Sequence, residues 1–333
     1  MLVTAGTPRG RQPSTIRDVA AAAQVSAATV SRVLSGVRTE DDDIAARVRA
    51  AAAELAFRPN PSAQGLRRPV PAVGVVVPDL ANPYFAEVLK GINAAAEAAG
   101  QRVLVADAEE QPQAELRLVH DLVRWTAGIV LCSPRTPTRQ LTALVEEVDR
   151  PLVTVNRPVP GLPTVLMDFA EGIAAICAHL RQLGHEHVVY LGGPAHSWSD
   201  GERRRALRAE ARRGLRVDFV PGGSDIPDGH GATDAAVATG ATAVIAFSDY
   251  VALGVLMRAG ELGLRIPEDL SLTGFDDIPV SSIAGPGLTT ATVSKTELGR
   301  SAYELLTEPG TDRRRRMTPT LVVRGSTGPA ARR

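Results

Sequence analysis

The sequence predicts a short all-α helix-turn-helix unit followed by an α/β body of two doubly wound, parallel-sheet subdomains. Three observations carry this expectation. The stretch TIRDVAAAAQVSAATVSRVL, residues 15–34, holds two short helical patterns joined by a few residues. From residue 71 onward, short Val/Ile/Leu runs alternate with helix-length segments, as parallel strands buried on both faces do. That alternation continues for roughly 250 residues, which suits two such sheets better than one.

The first helix is set by its start. Thr15 and Asp18 fit a capping box, with Thr15 as N-cap and an Asp at N3, and Ile16, Val19, Ala20 and Ala23 follow at helical spacing. It should stop near Gln24, where the turn asks for positive φ. A non-glycine residue there costs about 1 kcal/mol. Ser26 is a good N-cap for a second helix that buries Val30, Val33 and Leu34 and ends at Gly36. Ala20 falls where the two helices cross, and a larger side chain would push them apart. A third helix is expected over residues 44–56, capped by the acidic run 41–43, which suits its dipole.

In the body, strands are expected at AVGVVVP, QRVLVAD, AGIVLCS, PLVTVN, TVLMD, HVVYLGG, TAVIAFSD and LSLTGFD, with helices over residues 84–99, 172–183 and 250–262. The Pro-rich break at residues 157–161 is the expected crossover between subdomains, and LTTATV, residues 288–293, the expected return. Ligands in such folds bind beyond the carboxyl ends of the strands. The polar residues there are Asp79, Asn82, Tyr84, Asn156, Arg157, Asp168, Ser248, Asp249, Asp276 and Asp277.

Composition bounds the function. A content of 44% hydrophobic and 22% charged residues describes a globular protein, and 4% aromatics means cores of Val, Leu, Ile and Ala. The chain opens on polar and basic residues without an apolar h-region, and no run of about 18 apolar residues occurs. Neither a secretory signal nor a membrane span is expected, and a cytoplasmic protein fits. Cys132 and Cys177 sit in apolar segments and read as buried, reduced thiols. The formal charge of +0 hides an asymmetry: residues 1–70 carry ten Arg, no Lys and six acids, so that end is +4 and the rest −4. A local positive field is what attracts phosphate. No Walker pattern, GxSxG or His/Cys set at metal spacing occurs, so no catalytic residue, cofactor or metal is expected. His185 and His187 stand two apart at a strand start without a third ligand, and read as structural.

After the third helix comes FRPNPSAQGLRR, residues 57–68. With DVAAAAQVSAATVSRVL, AAAELAFRPN and the Ala63–Leu66 spacing in order, the chain resembles the LacI/GalR family of bacterial transcription repressors across roughly residues 14–327. The resemblance implies a dimer on double-stranded operator DNA and a sensor like the type I periplasmic binding proteins. It implies that the helix after Ser26 lies in the major groove. Ala27 and Ala28 would stand where the family varies its base contacts, and Arg32 is the one long donor, able to reach a guanine. Ser26, Thr29 and Ser31 are the expected phosphate contacts, and Thr15 is a further expected DNA-binding residue. Residues 60–66, including Asn60 and Ala63, resemble the hinge helix that enters the minor groove, with Leu66 as the apolar wedge. Gly65 departs from a good helix former.

For the body, the resemblance implies an effector pocket for a sugar or related metabolite. Its residues would be Asn82, Tyr84, Phe85, Asp168, Arg203, Ser248, Asp249 and Asp276. Ser248 stands where the family usually has Asn, and a hydroxyl replaces a two-sided amide. The implied organisation is a disordered tail 1–13, a helix-turn-helix domain 14–58, a hinge 59–70, a body 71–327 and a tail 328–333. Within the body, the first subdomain would be about 71–160 plus 290–320, and the second about 161–289 plus 321–327. Two rivals share the α/β body: a solute-binding receptor, which needs a signal segment and no helix-turn-helix, and a sugar or nucleoside enzyme, which needs a phosphate loop or an acid/base pair.

Overall fold

In the computed structural model, residues 14–34, 42–55, 57, 72–308 and 313–331 are described. The chain divides into two compact units, residues 1–70 and 71–333.

The first unit is helical: α1 (Ile16–Ala23), α2 (Ala27–Leu34) and α3 (Asp42–Glu54). The capping box is present in both directions, with the Asp18 N–H donating to Thr15 Oγ1 and the Thr15 N–H to Asp18 Oδ2 at 2.7 Å. Gln24 adopts the left-handed conformation at φ 53°, and its N–H and that of Val25 close the turn onto α1 carbonyls. Ser26 caps α2 by accepting from the Thr29 N–H at 3.1 Å. Val19, Val30 and Val48 are wholly buried where the helices meet, with Ala20, Ala23 and Ala45 allowing close approach. Ser14 Oγ donates to the Leu55 carbonyl at 2.7 Å, tying the start of the unit to the end of α3. α3 starts and ends two residues earlier than residues 44–56, because Asp42 and Asp43 join its first turn, where negative charge meets the positive end of the helix. The expected tail 1–13 and hinge 59–70 lie outside the described residues.

The second unit holds two six-stranded sheets. The first has the order β11-β5-β4-β3-β1-β2, formed by β1 (Ala72–Val77), β2 (Arg102–Asp107), β3 (Gly128–Cys132), β4 (Leu152–Val155), β5 (Thr164–Met167) and β11 (Arg314–Met317), all parallel. Its helices are α4 (Pro83–Ala98), α5 (Pro112–Val123), α6 (Thr138–Glu147) and α11 (Lys295–Thr307). The second has the order β12-β10-β9-β8-β6-β7: β6 (His187–Gly192), β7 (Arg216–Pro221), β8 (Ala243–Ala246), β9 (Ser271–Phe275), β10 (Thr289–Thr292) and β12 (Thr320–Val322). Only the β10–β12 pair of this sheet is antiparallel. Here the helices are α7 (Phe169–Gln182), α8 (Trp198–Arg212), α9 (Ile226–Ala238) and α10 (Asp249–Glu261).

The chain passes between the sheets after Met167, after Thr292 and between Met317 and Thr320. The expected crossover at residues 157–161 is therefore corrected. It is a loop within the first subdomain, since β5 follows it and pairs with β4. Likewise β10 pairs with β9, so LTTATV is a strand of the second sheet and the return comes just beyond it. Residues 328–331 are not a free tail. The Gly328 N–H donates to Ser271 Oγ at 3.0 Å and the Ala330 N–H to the Leu183 carbonyl at 2.9 Å, which seats the segment on the second subdomain. β2 corrects the expectation of strands buried on both faces. It is an edge strand, and Leu104 and Val105 remain 38% and 42% exposed. Cys132 and Cys177 are free, buried thiols, and burial pushes each up to about 12.

Candidate functional site

Two surfaces gather the residues expected to be functional. On α2, Ser26, Ala27, Ala28 and Arg32 are exposed, Thr29 and Ser31 half-buried, and Val30 and Val33 buried. Helical geometry thus puts Ala28 and Arg32, four apart, on one outward face. Ser26 Oγ and Thr29 Oγ1 lie 2.9 Å apart, so the first turn presents a linked pair of hydroxyls. Thr15 is committed to its own cap, its hydroxyl 2.8 Å from Asp18 Oδ2. Asn60, Ala63 and Leu66 lie outside the described residues.

The second surface is a narrow cleft at the carboxyl ends of both sheets, partly open to solvent. Of the eight residues expected there, Asn82, Tyr84, Phe85, Arg203 and Asp276 line it. From the first subdomain, Asn82 caps α4, its Oδ1 accepting from the Tyr84 N–H at 3.0 Å, and so aims Tyr84 and Phe85 inward. The Tyr84 hydroxyl accepts from Asn156 Nδ2 at 2.6 Å, and Asn156 Oδ1 accepts from the Met167 N–H. Burial pushes the Tyr84 hydroxyl far up, so it stays protonated.

From the second subdomain, α8 delivers Arg203, 3% exposed, between three rings. Its guanidinium carbon lies 4.9, 4.5 and 4.1 Å from the centroids of Phe169, Phe247 and Phe275. Its Nη2 is 3.8 Å from Asp276 Oδ1, while Nε and Nη1 have no hydrogen-bond partner among the described residues. Burial pushes the Asp276 carboxyl up to about 7, against the pull of Arg203 and Lys295.

Three expected pocket residues do not line the cleft. Asp249 is wholly buried, and its carboxylate accepts from the Ile278 N–H, Ser281 Oγ and Thr290 Oγ1 at 2.9, 2.7 and 2.7 Å. It pins the loop after β9 rather than a ligand. Ser248 spends its hydroxyl capping α10 at Val251. Asp168 caps α7 at Glu171 and pairs with Arg316 at 2.9 Å.

The sequence reading missed Arg135 and Glu110, which line the first-subdomain wall as a two-pronged ion pair at 2.6 and 2.8 Å. It also missed Phe169 and Phe247. A signal for these existed: of six Phe in the chain, Phe85, Phe169, Phe247 and Phe275 all follow or end predicted strands and gather at this site. Backbone strain concentrates here too. Glu110, Ser133, Asn156 and Asp276 line the cleft with φ of 57°, 44°, 57° and 108°, conformations that non-glycine residues hold only where the surroundings fix them.

His185 is buried against Thr242 and Ser271 and His187 meets Asp218 at 2.7 Å. Among the described residues no cluster of three His, Cys, Asp or Glu side chains could hold a metal ion.

Comparison with known proteins matches residues 15–60 to the family described as bacterial regulatory proteins, lacI family, and residues 177–327 to the periplasmic binding protein-like domain. The chain is 32% identical to the HTH-type transcriptional repressor CytR of Escherichia coli (strain K12), over 94% of this chain and 96% of that one. Among solved structures it is similar to the lac repressor dimer bound to operator and the anti-inducer ONPF. That match has a TM-score of 0.79 and 26% identity, covering 95% of this chain and 100% of the other. It is also similar to the transcriptional regulator CelR in complex with cellobiose, with a TM-score of 0.70 and 27% identity, covering 94% and 99%.

Proposed function

The chain belongs to the LacI family of DNA-binding transcription regulators, and from that premise we propose that it is a homodimeric repressor of a two-fold operator, controlled by a small polyhydroxyl ligand, a sugar or related metabolite, in the cleft. One observation carries the effector part: beside the Asp276 carboxyl, the buried Nε and Nη1 of Arg203 have no hydrogen-bond partner among the described residues. An unpaired buried guanidinium donor costs about 1–3 kcal/mol, so the site favours a guest that supplies acceptors to Arg203 and donors to Asp276. A hydroxylated ligand supplies both, and Phe169 and Phe247 offer its carbons an apolar wall.

The DNA part is supported by the outward face of α2. Ala27 and Ala28 leave room for base edges or thymine methyls, and Arg32 supplies the long donor. Ser26, Thr29 and Ser31 are the phosphate contacts of this reading, together with Asn60, Ala63 and the Leu66 wedge. A second copy is supported by the exposed apolar residues Leu104 and Val105 of β2, an edge strand paired only with β1, which a partner would cover. Among the described residues no helix is long and apolar enough to cross a membrane, and we place the working protein in the cytoplasm with its operator. A ligand that favours one angle between the subdomains changes the spacing of two DNA-reading heads, and a coupling of about 1–3 kcal/mol is enough to release or recruit them.

A thermal-shift screen of monosaccharides, disaccharides and nucleosides tests the effector part. A hit should raise the melting temperature of the wild type and not of Asp276→Ala. A hit that acts equally on both places the ligand elsewhere.

A further inference from the structure

Lys295 opens α11, just beyond the second passage between the sheets, and is 6% exposed. Its ammonium donates to the carbonyls of Asp276 and Asp277 at 2.7 and 2.8 Å and lies 3.2 Å from Glu87 Oε2. Three donors meet three acceptors, which is what a buried ammonium requires. The acceptors come from both subdomains. The two carbonyls belong to the turn after β9 in the second, and Glu87 to α4 in the first.

That turn is one of the strained parts of the cleft. Asp276 and Asp277 hold φ of 108° and 54° in succession. Within the second subdomain, Thr292 Oγ1 donates to the Asp276 carbonyl at 2.8 Å, and Arg324 Nη2 pairs with Asp277 Oδ1 at 2.7 Å. Lys295 adds a tie from a firm base. A Cβ on Gly91 of α4 would collide with the Thr296 carbonyl, and one on Gly299 with that of Val88, so the two helices touch backbone to backbone around Lys295.

We propose that Lys295 is a positioning residue of the cleft, holding the Asp276–Asp277 turn so that the Asp276 carboxylate faces the ligand and linking that turn to α4 through Glu87. The role rests on the reading of the cleft as the effector site. A guest that pulls on Asp276 then pulls on α4 of the other subdomain through one side chain, a direct mechanical route from occupancy to the angle between the sheets.

The charged and titratable groups facing the Asp276 carboxyl are Arg203 from α8, Asp249 from α10, Lys295 from α11 and the Tyr84 hydroxyl from α4. The test follows the Asp276 carboxyl by 13C NMR in full-length protein labelled at aspartate, with the signal assigned through Asp276→Asn. It needs neither effector nor operator, so its outcome is separate from whether the cleft binds a ligand. Lys295→Met keeps the stem and removes the charge. Its Asp276 midpoint should rise from about 7 by roughly one pH unit, and Lys295→Arg should return most of that rise. Glu87→Gln removes the anion that offsets Lys295 and should move the midpoint down. A folded Lys295→Met with an unchanged midpoint overturns the proposal. Should that variant not fold, an unchanged midpoint in Glu87→Gln overturns it equally.

Discussion

Arg203 and Asp276 meet at the floor of the cleft with Nη2 and Oδ1 3.8 Å apart, a separation too long for a hydrogen bond, and both groups are buried. The guanidinium is held by ring faces rather than by acceptors. In the proposed function a ligand hydroxyl would bridge the two groups.

Arg203→Gln should therefore abolish most effector binding. Loss of a charge-assisted hydrogen bond costs about 1.5–3 kcal/mol, roughly ten- to hundredfold in Kd. Calorimetric titration of the best thermal-shift hit measures this, and operator binding without ligand should survive.

Acidity sets a second expectation. The Asp276 carboxyl is pushed up to about 7 in the folded chain against an ordinary 3.8, so the folded state binds an extra proton between those values. Stability from this group is present below pH 4 and is lost as pH rises through 7, and Asp249, raised to about 6, acts in the same sense. Relative to wild type, Asp276→Asn should gain stability between pH 4.5 and pH 8, by at most about 1.4 kcal/mol per pH unit. Urea unfolding at the two pH values checks it, and parallel behaviour of the two proteins would contradict it.

Gln24→Gly should stabilise the helix-turn-helix by about 0.5–1 kcal/mol, because φ of 53° suits glycine and strains a residue with a Cβ. Amide exchange protection of α1 and α2 in the full chain reads the gain.

Arg32→Ala should cost about 1–3 kcal/mol on the preferred operator and relax selection at one base position. Competition binding against single-base operator variants measures both. A uniform loss over all sequences would assign Arg32 to phosphate.

The helix-turn-helix was legible because its determinants are local: a capping box at Thr15–Asp18, a cap at Ser26 and small residues at the crossings. The parallel sheets were legible from their apolar runs. β11, with the sequence RRRM, and the three-residue β12 were not, since both are edge strands, the first without apolar residues before Met317 and the second too short to form a run. At the strand ends, sequence gave position but not direction. Asp276 turns into the cleft, whereas Asp249 turns back to pin the Ile278 loop and Asp168 turns aside to Arg316. A carboxylate serves a ligand, a backbone N–H or a cation equally well, and only neighbours distant in sequence decide which. Arg135 and Glu110 escaped notice because they stand 25 residues apart and meet only through the fold.

In the proposed function α2 reads a two-fold DNA site. Selection of binding duplexes from a random pool by the full-length protein, followed by sequencing, tests it most directly. Enrichment of an inverted repeat, with its preference narrowed or lost in Arg32→Ala, is the predicted result. A folded protein that enriches no sequence, or enriches the same one without regard to residue 32, contradicts it.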